Sequence, residues 1–359
     1  MRDLHSDLER WWANDRRTAL ATVILTWGSS PRPLGSKMAV ADDGAMSGSV
    51  SGGCVEGAVV EAAREVLATG RPRLERFGVA DEDAFAIGLS CGGTIEVWIE
   101  PLAADDLVWR GLVERESARR PCARAVRLAT DADKGRDLLL EPGAAPVGAL
   151  PPDLALRAAE LASTAWIEGR AQRDGALFVD PIEPTPRLIV VGAVHAAIPL
   201  VTMAKAAGFE TIVIDPRTAF ATQERFGHAD HLSHQWPDEA LEELGVDGAT
   251  YVALLSHDLK LDVPALRVAL PKARYVGALG SRKTQARRAE AARAAGFNDD
   301  DIARIHGPIG LDLGGRRAEE IAVAVLAQLV AVRHGRDLRA PPATVELGVV
   351  ASDSTPDRG

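Results

Sequence analysis

Residues 187–216 read RLIVVGAVHAAIPLVTMAKAAGFETIVIDP. An apolar β-like run at 187–191 enters the turn Gly192-Ala193-Val194-His195-Ala196-Ala197. A helical pattern follows to Gly208, and a second apolar run at 210–214 ends in Asp215. Strand, tight turn, helix and acid-tipped strand form the layout of a dinucleotide-binding unit. The fingerprint is incomplete: Gly192 keeps the first glycine, but Val194 and Ala197 replace the second and third. A β-branched residue at the second place crowds the path of a pyrophosphate toward the backbone. Asp215 stands where a ribose-binding acid belongs. His195 puts an imidazole at the helix start, as a ligand contact or as a capping or core histidine.

C-terminal to this stretch the alternation continues. Helices are expected at 218–226, 238–244, 263–270, 283–295 and 317–333, with strands at 251–255 and 275–278. Such alternation implies a parallel sheet covered on both faces. Loops at the carboxyl ends of its strands line the usual ligand crevice. Those loops carry His257 and Asp258, then Arg282 and Lys283 at a helix start that suits a phosphate, and then Asp312 within HGPIGLDLGG (306–315).

N-terminal to it, Pro181, Pro184 and Pro186 mark a connection between domains. The first domain opens with a helical pattern over about 4–17 and a β-branched strand at 18–27. The loop 28–37 follows, with the cations Arg32 and Lys37, and then a hairpin around Asp42-Asp43-Gly44. The hairpin leads to Ser47-Gly48-Ser49-Val50-Ser51-Gly52-Gly53-Cys54-Val55-Glu56-Gly57. A helical pattern runs from Val55 to Gly70, which places Cys54 at or just before a first turn. Amide hydrogens and the helix dipole there favour an anion and lower a thiol pKa. Gly52 and Gly53 leave room for a ligand, so the turn reads as a phosphate cradle presenting a thiolate, or as a buried cysteine under an ordinary helix. A strand at 73–77 precedes a second small-residue loop, Gly88-Leu89-Ser90-Cys91-Gly92-Gly93, and a strand at 94–100 stopped by Pro101. A surface helix at 104–119 follows. Strands are expected at 123–129, 138–140, 165–168 and 176–182, interrupted by a helix near 154–163. Cys122 suits packing at a strand start. No internal repeat is visible.

The whole chain is therefore α/β: an N-terminal mixed α+β domain (1–185) followed by a Rossmann-like domain with a parallel sheet (186–340). Residues 341–359 form a polar tail expected to be disordered. Its 359 residues carry a net charge of −10, with 47% apolar and 26% charged residues. The charge disfavours nucleic acid and anionic membranes. The first residues lack a signal-peptide core, and no apolar run approaches the ~20 residues of a membrane span. Three cysteines fit a reducing, cytoplasmic setting.

SGGCVEGAVVEAAREVL, the SCGG loop, GAVHAAIPL with VIDPR, GALGSRK and HGPIGLDLGG occur in this order. The set resembles the XdhC/CoxI family, the xanthine dehydrogenase accessory proteins, from about residue 8 to about 335. The chain departs from that pattern at Val194, where the family usually has glycine, and at Gly315-Arg316-Arg317, where many members have Thr-Pro. The resemblance implies a cytoplasmic chaperone that binds molybdenum cofactor, as molybdopterin or its nucleotide form. It would assist sulfuration and pass the cofactor to an apo-molybdenum hydroxylase of xanthine dehydrogenase type. A cysteine desulfurase is a further partner, and a homodimer is compatible with the role. On this reading Cys54 meets the metal end or guards its sulfur. Gly52, Gly53, Arg32, Lys37, Cys91, Gly192, His195, Asp215, Arg282, Lys283 and Asp312 complete the binding set. Two other functions remain open from the residues alone: an NAD(P)-dependent oxidoreductase on the second domain, and a cysteine-based redox or sulfur-transfer protein.

Overall fold

The computed structural model describes residues 2–28, 32–78, 93–130 and 136–336. Contacts divide the chain into two compact units that meet between Pro184 and Thr185.

The first unit opens with α1 (Arg2–Trp12), then β1 (Thr18–Trp27), β2 (Lys37–Ala41), β3 (Met46–Gly48), α2 (Glu56–Thr69), β4 (Arg73–Phe77) and β5 (Thr94–Leu102). It continues with α3 (Leu107–Ser117), β6 (Cys122–Arg127), β7 (Asp137–Leu140), β8 (Val147–Ala149), α4 (Pro152–Glu168), β9 (Gln172–Asp174) and β10 (Leu177–Ile182). The strands form two five-stranded sheets, in the orders β3-β2-β1-β5-β4 and β8-β7-β6-β10-β9. Both sheets are antiparallel throughout. The second order is the first shifted along the chain, and each sheet has one helix before it and one inside it. The unit is thus a duplicated helix–three strands–helix–two strands motif. The repeat is not visible in the sequence, because only scattered positions, such as Ala19 with Ala123, Ala21 with Ala125 and Pro101 with Pro181, keep the same residue.

Register makes the duplication specific. Thr18 faces Leu102 in the first sheet, as Cys122 faces Ile182 in the second. On that frame Thr22 matches Val126, Trp98 matches Phe178, Glu100 matches Asp180 and Lys37 matches Asp137. These matched pairs line one cavity of about 10 Å³ between the two sheets, Asp137 excepted.

The hydrophobic pattern explains the layers. β1 is β-branched and buried on both faces along Thr18–Ile24. Ala19, Ala21 and Val23 pack under the apolar stripe of α2 (Val59, Ala63, Val66). Leu20 faces Leu8, Trp11 and Trp109 on the other side, whereas Ile24 meets Trp98 and Phe178. Cys122 is buried, and burial pushes its thiol up to about 12, so packing is its role. Two sequence expectations fail here. Residues 165–168 end α4 instead of forming a strand, because Leu161, Ala162 and Ala165 continue its apolar stripe to the left-handed Gly169. Pro101 does not stop β5, which runs to Leu102: β4 pairs only with Ile95–Ile99, so the proline sits where the strand has become an edge.

The second unit carries β11 (Arg187–Val191), α5 (Ala197–Ala206), β12 (Glu210–Ile214), α6 (Gln223–Phe226), β13 (His231–Ser233), α7 (Pro237–Leu244) and β14 (Thr250–Leu254). It ends with α8 (Leu259–Ala269), β15 (Tyr275–Ala278), α9 (Arg282–Ala294), α10 (Asp299–Ala303), β16 (Ile305–His306) and α11 (Ala318–Arg333). The sheet is parallel, in the order β13-β12-β11-β14-β15-β16, so the strand order reverses between β11 and β14. Alternation along β11 sends Leu188 and Val190 to the core beneath α5 and α11, and Ile189 and Val191 to the core beneath α7 and α8. The helix expected at 218–226 is a single turn, α6, capped by Thr222. The short elements β13, α10 and β16 carry too few apolar residues to show a period in the sequence.

One buried ion pair ties the carboxyl ends of β14 and β15 together. The Arg288 Nε and Nη2 groups donate to Asp262 Oδ2 at 2.9 and 2.7 Å, and Nη2 also donates to Leu279 O at 3.0 Å. Ser256 Oγ donates to Asp262 Oδ1 at 2.7 Å. Both charged side chains are essentially inaccessible. Arg288→Met would leave the Asp262 charge buried and without its ion partner, which is expected to cost this unit about 3–5 kcal/mol. Urea unfolding of the variant, followed through the second unit, measures that loss.

Candidate functional site

Cys54 lies at the tip of the loop between β3 and α2 and is exposed. Gly52 and Gly53 carry φ of 81° and 119°, values that an L side chain adopts only with strain. They allow the chain to fold back over the side chain of Glu56, the first residue of α2.

Glu56 is buried and organises the loop. Its Oε1 accepts from the Ser51 amide at 2.9 Å, the Gly52 amide at 3.0 Å, the Val50 amide at 3.3 Å and the Ser49 hydroxyl at 2.6 Å. Its Oε2 accepts from the Gly53 amide at 2.9 Å and from the Ser51 hydroxyl. Ser51 Oγ in turn accepts from the amides of Cys54 and Val55, both at 3.0 Å. The amides expected to cradle a phosphate are therefore filled from within by the chain's own carboxylate. In this structure the Gly52 and Gly53 amides face Glu56, and their positive φ values shape the turn. The sequence did offer a signal: an acid three residues after a glycine can reach back to that residue's amide, as in a capping box.

Lys37 is also corrected. Its side chain is only 7% exposed and pairs with Asp180 on β10, so it is not a loop cation awaiting a phosphate. Arg32 is exposed. Cys91 lies outside the described residues.

In the second unit the turn after β11 is closed in a similar way. Asp215 is fully buried. Its Oδ2 accepts from the Ala193 amide at 2.8 Å and from Arg217 Nη2 at 2.7 Å; its Oδ1 accepts from the Arg217 amide at 3.0 Å and Nε at 2.9 Å. Burial alone would raise its pKa, but Arg217 and the two amides outweigh that and hold the carboxyl below its ordinary range. The acid expected to take ribose hydroxyls is thus sealed under Arg217, whose guanidinium lies 4.3 Å from the Phe220 ring centre. Gly192 is needed for packing: a Cβ there would stand 2.7 Å from the Ser256 amide nitrogen. His195, His257, Asp258 and Asp312 are exposed on loops beyond the carboxyl ends of parallel strands, and Arg282 and Lys283 are exposed in the first turn of α9, which follows β15. Among the described residues no group of three or more His, Cys, Asp or Glu side chains is arranged to hold a metal ion. No described helix is long and apolar enough to cross a membrane.

Two family models match this chain. The XdhC and CoxI family model covers residues 11–78, which include the Cys54 loop, and the XdhC Rossmann domain model covers residues 188–329. The chain belongs to the XdhC/CoxI family. A family relative from Escherichia coli, named molybdenum cofactor insertion chaperone PaoD, is 29% identical over 88% of this chain and 83% of its own length. A Bacillus subtilis relative, named as a probable subunit of xanthine dehydrogenase, is 26% identical over 93% of this chain and 98% of its own. A crystal structure from Bacillus halodurans, described as a xanthine dehydrogenase, superposes with a TM-score of 0.74 at 26% identity. It covers 94% of this chain and 97% of that one.

The Glu56 network sets a pH limit on this chain's cysteine loop. Burial by itself would raise the Glu56 pKa; the hydroxyls of Ser49 and Ser51 and the Ser51 amide outweigh it and bring it from 4.5 to about 2. The folded-state value lies below the unfolded one, so this stabilisation is complete above about pH 4.5 and is lost as pH falls toward 2. Glu56→Gln keeps the shape but removes the charge. It is expected to cost the first unit about 1–3 kcal/mol and to flatten the acid limb of its stability profile, read by thermal unfolding across pH 2–6.

Proposed function

We propose that this protein binds molybdenum cofactor and delivers it to a molybdenum hydroxylase of xanthine dehydrogenase type. The observation that carries this reading is an exposed cysteine held at the tip of a rigid double-glycine turn. The chain that holds it aligns along most of its length with a relative named as an insertion chaperone for that cofactor. The cofactor presents a soft metal–sulfur end and an anionic phosphate end. A thiolate is a suitable donor or guard for the soft end. The amides around Cys54 are committed to Glu56 and Ser51, so the phosphate end belongs elsewhere. Arg32 in the first unit and Arg282 with Lys283 at the start of α9 are exposed cations that suit the phosphate end. The loop anchors the backbone on both sides of the exposed thiol, which suits holding and releasing a cargo without chemistry on it. Protection of the cofactor's exchangeable sulfur follows from the same contact; sulfuration is the work of a partner cysteine desulfurase, to which this chain only presents the cofactor.

The test is anaerobic purification from a molybdenum-replete host. Molybdenum and pterin are expected to co-purify in equal amounts with the wild-type chain. Cys54→Ala is expected to weaken cofactor binding at least about tenfold, or ~1.4 kcal/mol, in an anaerobic fluorescence titration. Full affinity and undiminished protection of the cofactor by that variant would remove Cys54 from the mechanism.

A further inference from the structure

We propose that Asp180, in the second half of the duplicated unit, is a positioning residue for the Cys54 loop in the first half. Asp180 lies on β10 and pairs with Lys37 at the start of β2. Both side chains are largely buried, at 12% and 7% exposure. From Lys37 an unbroken line of contacts runs to the cysteine. The Ser49 amide donates to Lys37 O at 3.1 Å. Ser49 Oγ donates to Glu56 Oε1 at 2.6 Å and accepts from the Gly52 amide at 2.9 Å. Glu56 then holds Gly53, the residue before Cys54. The backbones touch as well: a Cβ on Gly48 would lie 2.4 Å from Lys37 O.

Asp180 also fixes the segment that follows Arg32. A Cβ on Gly35 would lie 2.5 Å from Asp180 Oδ1, and Lys37 Nζ donates to Gly35 O at 3.0 Å. One carboxylate on one sheet thereby seats both the basic segment and the cysteine loop of the other.

The duplication shows what this position does when no loop depends on it. Glu100 is the first-half counterpart of Asp180, and Asp137 is the second-half counterpart of Lys37. Those two acids are joined through Arg124, at 2.8 Å to Glu100 and 2.6 Å to Asp137. Residues 150–151 alone connect β8 to α4 there, against 49–55 between β3 and α2. Both contacts cross between the halves, Glu100 to Arg124 and Asp180 to Lys37, but only the Asp180–Lys37 contact reaches the longer turn of the two.

The assignment rests on Cys54 being the working residue of the first unit. It is tested on cargo-free protein, so it stands or falls apart from the identity of the cargo. Asp180→Asn keeps the shape of the side chain and removes its charge. Hydrogen exchange of the amides at 49–55 is expected to quicken at least about tenfold, while strand β12 in the other unit keeps its protection. The pair Lys37→Met/Asp180→Asn leaves no buried unpaired charge and serves as the control for folding. Recovered thermal stability with exchange at 49–55 still fast supports the positioning role. Unchanged exchange at 49–55 in Asp180→Asn overturns it. So does joint recovery of stability and loop protection in the double variant.

Discussion

The Glu56 carboxylate occupies the space that a helix start and two glycines would otherwise offer to an anion. Amide and hydroxyl groups from Ser49 to Gly53 converge on it. A buried carboxylate is tolerated only when its hydrogen bonds are satisfied. The loop's fold is therefore tied to that carboxylate, and the cysteine at its tip is left exposed. The register of β2 and β3, the fold-back at Gly52 and the start of α2 all follow from that satisfied charge. The rest of the first unit supports it: the apolar stripe of α2 fixes the helix, and the helix fixes the acid.

The second unit solves a similar problem the same way. Asp215 caps its own turn through Ala193 and Arg217 instead of facing a ligand. In both units an acid that sequence patterns assign to ligand binding, or leave unremarked, is an internal brace. The exposed polar groups next to these braces, Cys54 in one unit and His195, His257 and Arg282 in the other, are what each unit presents to solvent.

Much of this was legible from the residues. The apolar runs of β1 and β11 and the apolar stripes of α2, α5 and α11 fix the strands, the helices and the parallel sheet. The motif order gives the family, and the clustered glycines mark the cysteine turn. The failures share a cause. Periodicity reports which face of an element is buried, but not which buried acid meets which buried base. Lys37 reads as a loop cation because its partner, Asp180, is 143 residues away in sequence. Glu56 reads as ordinary first-turn acid because its hydrogen bonds come from a loop that the sequence shows only as small residues. The doubled architecture of the first unit is hidden for a related reason: at matched cavity positions such as Trp98 and Phe178, or Thr22 and Val126, the residue changes while its place in the fold does not.

The doubling has a consequence for valence. A unit of two matched halves could have carried two equivalent receptors, one per half, and traded a payload between them. Here one half has the long turn at 49–55, and the other has only the bare link at 150–151. If the cysteine turn is the receptor proposed above, it is borne on one half and propped by the other, so each chain carries a single load and the twin half serves as a buttress rather than a competitor.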